Sequence, residues 1–247
     1  MEVDKITIVG LDKRIQDALS KGGVEISAAT DKDYSGKLAD ADMILENLAG
    51  DTEARRKFFR DCDVKAPPEA IFATTAEWGI TEIAAATRRP GKFVGLNFSP
   101  MARGESYLIQ ITNGLETSAD TVQACKTFVN KIGAISVQLK ETSGLILNRV
   151  LASTINQAAI MYDTGLATKE VIDRAMKLCA SWPAGPFELA DTIGIDKIVS
   201  TLEILSQQVG PQYIPNMLLR KMVAAGHLGK KTGKGFYTYP QSTLPVE

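Results

Sequence analysis

The sequence predicts an α/β unit over residues 1–141 followed by an all-helical unit over residues 142–247. Three observations predict it. Up to about residue 140, short β-branched apolar runs alternate with segments whose apolar residues keep helical spacing, the order that builds a doubly wound sheet. Across residues 143–162, Leu147, Val150, Leu151, Ile155, Ala158, Ala159 and Tyr162 recur three or four apart, one face of a helix of about five turns. Beyond that stretch the periodicity is helical throughout. The 143–162 stretch is therefore expected to open the second domain and to line the seam between the two, with Asn148 and Arg149 in its first turns. A carboxamide there suits a hydrogen-bonded domain contact or a hold on a substrate in an interdomain cleft.

In chain order, residues 6–9 read as a strand that Gly10 ends. Ile15, Ala18 and Leu19 then keep helical spacing up to Gly22 and Gly23, and residues 24–28 read as a second strand. A dinucleotide-binding turn at this place has the form G-x-G-x-x-G, whose glycines let the backbone approach a pyrophosphate seated on the helix N-terminus. The register here is Gly10-Leu11-Asp12-Lys13-Arg14-Ile15, which keeps only the first glycine. Asp12 is expected to cap the helix itself and to repel a pyrophosphate. The acid that holds an adenosine ribose lies roughly twenty residues on. Asp31 is the nearest candidate, although its place beyond the strand end suits a surface loop. Further strands are expected at 42–48, 70–74, 92–98, 107–111 and 134–139, and helices at 52–61, 80–87 and 117–132. The segment between the second and third strands is too short for a full helical excursion. In the second unit, helices are expected at 168–179, 195–208 and 215–225, with a Pro/Gly turn at 182–186 feeding a short helix. The basic, glycine-rich turn at 228–237 suits a loop packing Phe236 and Tyr237 on the core better than a phosphate site.

Composition narrows the function classes. A net charge of −1 leaves no basic footprint for nucleic acid. No apolar run approaches the roughly 20 residues of a membrane span. The opening residues lead directly into a strand, so no leader peptide is expected. Three widely spaced cysteines, Cys62, Cys125 and Cys179, argue against a disulfide framework and fit a reducing, cytoplasmic setting. His227 is the single histidine, so His/Cys metal clusters are excluded on the count and no metal site is expected.

Several motifs together resemble the L-3-hydroxyacyl-CoA dehydrogenase (3-hydroxybutyryl-CoA dehydrogenase) family. They are Gly144-Leu145-Ile146-Leu147-Asn148-Arg149, Ala175-Met176-Lys177-Leu178, Gly185-Pro186-Phe187-Glu188-Leu189-Ala190-Asp191 with Ile193-Gly194-Ile195-Asp196, and the 229–237 turn. Upstream, Ile80-Thr81-Glu82-Ile83-Ala84 and Arg89-Pro90 with Lys92-Phe93-Val94-Gly95-Leu96 also match. The resemblance implies a Rossmann-like N-terminal domain and an all-α C-terminal domain of the 6-phosphogluconate dehydrogenase C-terminal type. It also implies NAD as cofactor, an acyl-CoA thioester ligand, a place in fatty acid metabolism and dimerisation, with itself or with a related subunit.

The family's catalytic positions carry different residues here. The histidine of its Gly-Leu/Met-His-Phe-Phe-Asn-Pro run falls on Asn97, and that histidine's acidic partner falls near Gln110, with Glu105 as an outside candidate. The serine of Asn-Thr-Ser-Ser falls on Ala76, and the acid of Glu-Ala-x-x-Glu-Asn falls on Gly50 while Glu46 is kept. Asn148 survives. The resemblance thus marks Asn148, Asn97, Gln110, Glu46 and Ala76 as catalytic positions and Gly10, Leu11, Asp12 and Asp31 as cofactor positions. Removing the hydroxyl proton of a 3-hydroxyacyl group calls for a base with a pKa near working pH, such as an imidazole tuned by a carboxylate. Asn97 hydrogen-bonds but accepts no such proton. Three readings follow: a family member that binds an acyl-CoA with dehydrogenase activity lost or strongly reduced; an active dehydrogenase using Glu105 or Glu77 as base; or a different thioester reaction using Glu46 or Glu105. The apolar residues of the helices at 195–208 and 215–225 exceed what one small core needs and point to a dimer through the second domain.

Overall fold

The computed structural model describes residues 2–19, 22–101 and 106–240. The chain divides into two compact units, residues 1–142 and 143–247.

In the first unit, β1 (Lys5–Val9), β2 (Glu25–Ala29), β3 (Met43–Glu46), β4 (Ile71–Thr74), β5 (Phe93–Pro100), β6 (Tyr107–Asn113) and β7 (Ile135–Lys140) form one sheet in the order β2-β1-β3-β4-β5-β6-β7. The β5–β6 pair is antiparallel and every other pair is parallel. Helices α1 (Lys13–Leu19), α2 (Thr52–Lys65), α3 (Ile80–Ala84) and α4 (Ala119–Lys131) cover it. Because side chains alternate along a strand, each central strand feeds two cores. Ile6, Ile8, Leu45, Val94, Leu96 and Ile109 join α1 and α4 on one face. Val9, Ile44, Phe72 and Phe93 join α2 and α3 on the other. A single 3₁₀ turn, Tyr34–Lys37, stands between β2 and β3, as the short segment there predicted. The expected helix at 80–87 ends early, at Ala84, where the Thr87 hydroxyl donates to the Ala84 carbonyl at 2.8 Å.

In the second unit, α5 (Leu147–Asp163), α6 (Lys169–Cys179), α7 (Pro186–Ile193), α8 (Ile195–Gln208) and α9 (Met217–Ala224) enclose a core containing Ala152, Ile155, Ala159, Phe187, Ile195, Leu202 and Leu219. The helix expected over 143–162 is α5, and it starts at Leu147, later than the pattern predicted. Gly144 and Leu145 adopt φ of 76° and 48° and form a turn, closed by Arg149 donating through Nη2 to the Ser143 carbonyl at 2.7 Å. Leu147, Val150 and Tyr162, expected on the buried face, are exposed. Of the surplus expected on α8 and α9, Ile195, Ile198, Val199, Leu202 and Leu205 are buried and Ile204 is half-buried, while on α9 only Leu219 is buried and Met217 is exposed. Further exposed apolar side chains sit on α5, on α6 and at Ile214.

The 229–237 turn is fastened, as expected, to the core. Asp191 accepts from the Phe236 and Tyr237 amides, each at 2.9 Å, and from the Tyr239 hydroxyl at 3.0 Å. Asp173 accepts from the Phe187 amide at 2.8 Å and the Tyr237 hydroxyl at 2.9 Å. Burial pushes the Asp173 carboxyl above its usual range, against the pull of those donors. Among the described residues, no helix is long and apolar enough to cross a membrane.

Candidate functional site

The positions that the resemblance marks as catalytic in the first unit gather on the α2/α3 face of the sheet. Asn97 on β5 stands directly opposite Gln110 on β6 in the antiparallel ladder. Such a pair holds its Cβ atoms about 5 Å apart on one face. Val94, Leu96 and Phe98 point to the other face, as do Ile109 and Ile111, which fixes the direction of both carboxamides. Gln110 is buried and Asn97 half-buried. The Asn97 Nδ2 donates to the Ala76 carbonyl at 3.3 Å. The Ala76 amide in turn donates to Thr74 Oγ1 at 3.1 Å, and that hydroxyl donates to Glu46 Oε2 at 2.5 Å. Asn97, Ala76, Thr74 and Glu46 are thus joined in one run of hydrogen bonds.

Glu46 has no exposed surface. Its Oε1 accepts from the Leu48 amide at 2.6 Å, and its Oε2 pairs with Arg55 Nε at 3.3 Å. Arg55 also donates to the Leu48 carbonyl at 2.9 Å and the Gly50 carbonyl at 2.5 Å. Glu46 and Arg55 therefore clamp the loop between β3 and α2. Those partners hold the Glu46 carboxylate in place. Glu77 is half-buried beside Ala76, and Glu105 lies outside the described residues. Asn148 is half-buried near the start of α5, in the second unit.

At the positions that the resemblance marks for a cofactor, the Asp12 carboxylate caps α1. Its Oδ1 accepts from the Ile15 amide at 3.0 Å, and its Oδ2 is held by Arg14 through Nη2 at 2.7 Å and Nε at 3.2 Å. Burial pushes this carboxyl up, but the Ile15 amide and the Arg14 guanidinium outweigh it and hold it below the usual range. Leu11 packs against the α1/α4 core, and Asp31 is exposed in the turn after β2. Gly10 has φ of 84°, and a Cβ there would stand 2.5 Å from the Asn47 carbonyl oxygen.

The pattern reading passed over Asn47, Arg55 and Thr75. Asn47 Nδ2 donates to the Gly10 carbonyl at 2.7 Å, and Thr75 Oγ1 donates to Asn47 Oδ1 at 2.8 Å, a brace across the ends of β1, β3 and β4. The signal available was a polar pair, Glu46-Asn47, closing an apolar strand. Among the described residues, no three His, Cys, Asp or Glu side chains gather as metal ligands.

Residues 12–142 match the family described as 3-hydroxyacyl-CoA dehydrogenase, NAD binding domain, and residues 144–239 match 3-hydroxyacyl-CoA dehydrogenase, C-terminal domain. A probable 3-hydroxybutyryl-CoA dehydrogenase of Bacillus subtilis is 39% identical over 208 residues, covering 82% of this chain and 71% of that protein. A 3-hydroxybutyryl-CoA dehydrogenase of Bradyrhizobium diazoefficiens is 40% identical over 205 residues, covering 82% and 69%. The crystal structure of (S)-3-hydroxybutyryl-CoA dehydrogenase from Ralstonia eutropha superposes with a TM-score of 0.86 at 28% identity, covering 97% of this chain and 100% of that one. On both of its units, the chain belongs to the 3-hydroxyacyl-CoA dehydrogenase family.

Proposed function

We propose that this chain binds an acyl-CoA-type thioester and that its dehydrogenase activity is lost or strongly reduced. One observation carries the reading: the two carboxamides that the resemblance assigns to the family's histidine and its acidic partner, Asn97 and Gln110, stand opposed across the β5–β6 ladder. Neither takes up a proton near neutral pH. The pair retains nearly the shape of an imidazole and a carboxylate while losing their acid–base chemistry. Loss of a positioned general base typically lowers a rate by about 10²–10⁴-fold. The family's kept Asn148 supplies a side-chain amide that suits a thioester or 3-oxo oxygen. Unpaired Cys62, Cys125 and Cys179 support a reducing, cytoplasmic setting. A homodimer, or a heterodimer with a catalytic relative, fits the exposed apolar side chains of the second unit.

The test is calorimetric titration with acetoacetyl-CoA, combined with a turnover assay on the same sample. Saturable acetoacetyl-CoA binding is expected, with NADH-dependent reduction at least about 10²-fold below the roughly 10 per second typical of enzymes. Turnover at tens per second would refute the proposal.

A further inference from the structure

We infer that the first unit closes the adenosine half of the dinucleotide site with its own groups, and that Asp12 is the residue that decides the exclusion. The inference rests on the family reading, which makes NAD the expected cofactor, and the residues present do not fit that cofactor in its usual pose. Three places carry the argument. At the helix N-terminus, where a pyrophosphate would take the free amides, the Asp12 carboxylate already accepts from the Ile15 amide at 3.0 Å. Arg14, the adjacent guanidinium, is spent on the same carboxylate at 2.7 Å. An incoming diphosphate therefore meets a fixed negative charge whose counter-ion is already paired.

At the strand end, Gly10 is held for a reason of the chain's own. Its amide donates to the Ala29 carbonyl at 3.1 Å, its carbonyl accepts from Asn47 at 2.7 Å, and its missing side chain makes room for the Asn47 backbone. Gly10 keeps the tight turn and packs on the Asn47 backbone just past β3, while the position whose glycine would admit the pyrophosphate is filled by Asp12. At the end of β2, where an acid would reach the ribose, the strand finishes in buried Ala29. The following turn folds onto itself: Asp33 accepts from the Thr30 amide at 2.6 Å and its hydroxyl at 2.8 Å, and Lys37 Nζ donates to the Ala28 carbonyl at 2.6 Å. Asp31 is left facing solvent.

The experiment is a fluorescence titration of the full chain with NADH, comparing wild type, Asp12→Asn and Asp12→Ser. Asn and Ser both serve as helix caps, so each variant removes the charge while keeping the first turn closed, and thermal melts check that each folds. The wild type is expected to show no saturation below about 1 mM. Both variants are expected to bind at least about 10-fold more tightly, and the gain is expected to shrink at high salt. Micromolar binding by the wild type, or folded variants with unchanged NADH affinity, would overturn the inference. Titration with acetoacetyl-CoA alone separates it from the proposed function. Tight NADH binding without turnover removes this inference and leaves the carboxamide-pair reading. Absent NADH binding with absent acetoacetyl-CoA binding supports this inference and removes the acyl-CoA reading.

Discussion

Gly235 sits where the basic closing turn meets α7, and Gly235→Ala decides whether that turn is a packing device or a ligand loop. A Cβ at Gly235 would stand 2.0 Å from Asp191 Oδ1, 2.5 Å from its Cγ and 2.7 Å from the Gly229 Cα. The last contact is backbone and the first belongs to a carboxylate with three donors, so neither side yields cheaply. Displacing Asp191 would strain or break its bonds from the Phe236 amide, the Tyr237 amide and the Tyr239 hydroxyl. Hydrogen bonds to a charged group contribute about 1.5–3 kcal/mol each, so losing two of the three costs roughly 3–6 kcal/mol. A loss of that size in a unit of this length lowers Tm by on the order of 10 °C or more. Circular-dichroism melts of the unliganded protein would measure it, with Gly36→Ala as the control, since a Cβ there meets nothing within 4 Å. A Gly235→Ala melt within about 2 °C of wild type would refute the reasoning. A phosphate loop would instead lose ligand affinity and leave the unliganded melt alone.

Two further predictions concern charge and assembly. Asp63 is buried and accepts from the Arg88 amide at 2.8 Å, Arg88 Nε at 3.0 Å and Arg89 Nε at 2.7 Å. Asp63→Asn leaves the largely buried Arg89 unbalanced and should cost about 3–5 kcal/mol in urea denaturation at pH 7. Burial raises the Asp63 carboxyl, but those donors outweigh it and depress its folded pKa. Its contribution is therefore complete above the unfolded value near ~3.9 and is lost as pH falls through the folded value. The gap between wild type and variant should begin to shrink below about pH 4 and keep shrinking as pH falls further, and a gap that stays constant from about pH 5 down to about pH 2 would sink the assignment. Light scattering at micromolar concentration is expected to give roughly twice the 26.7 kDa chain mass, and Met217→Lys with Leu178→Glu to lower it. A wild-type monomer, with no relative co-purifying, would remove the dimer.

Periodicity carried the fold class. The alternation of β-branched runs with helix-spaced segments through β7, and its replacement by helical spacing alone, follows from patterns with periods of 2 and 3.6 residues. The Asp12 cap was equally legible, because a carboxylate three residues before Ile15 reaches that amide by local geometry. Asn97 and Gln110 could be named from their motifs, but that they face each other depends on the β5–β6 register. The roles of Glu46, Gly10 and Gly235 were not legible. Glu46 meets Thr74 twenty-eight positions away, Gly10 meets Asn47 thirty-seven away, and Gly235 meets Asp191 across two helices. The left-handed Leu145 broke a helical pattern that continued unbroken through it, and α8 consumed apolar residues that the pattern alone would have left for a partner. Spacing along the chain determines which elements form and which face of each is apolar. Which backbone comes within 3 Å of which side chain, and whether an apolar face is covered, is decided only when distant segments pack at interior density.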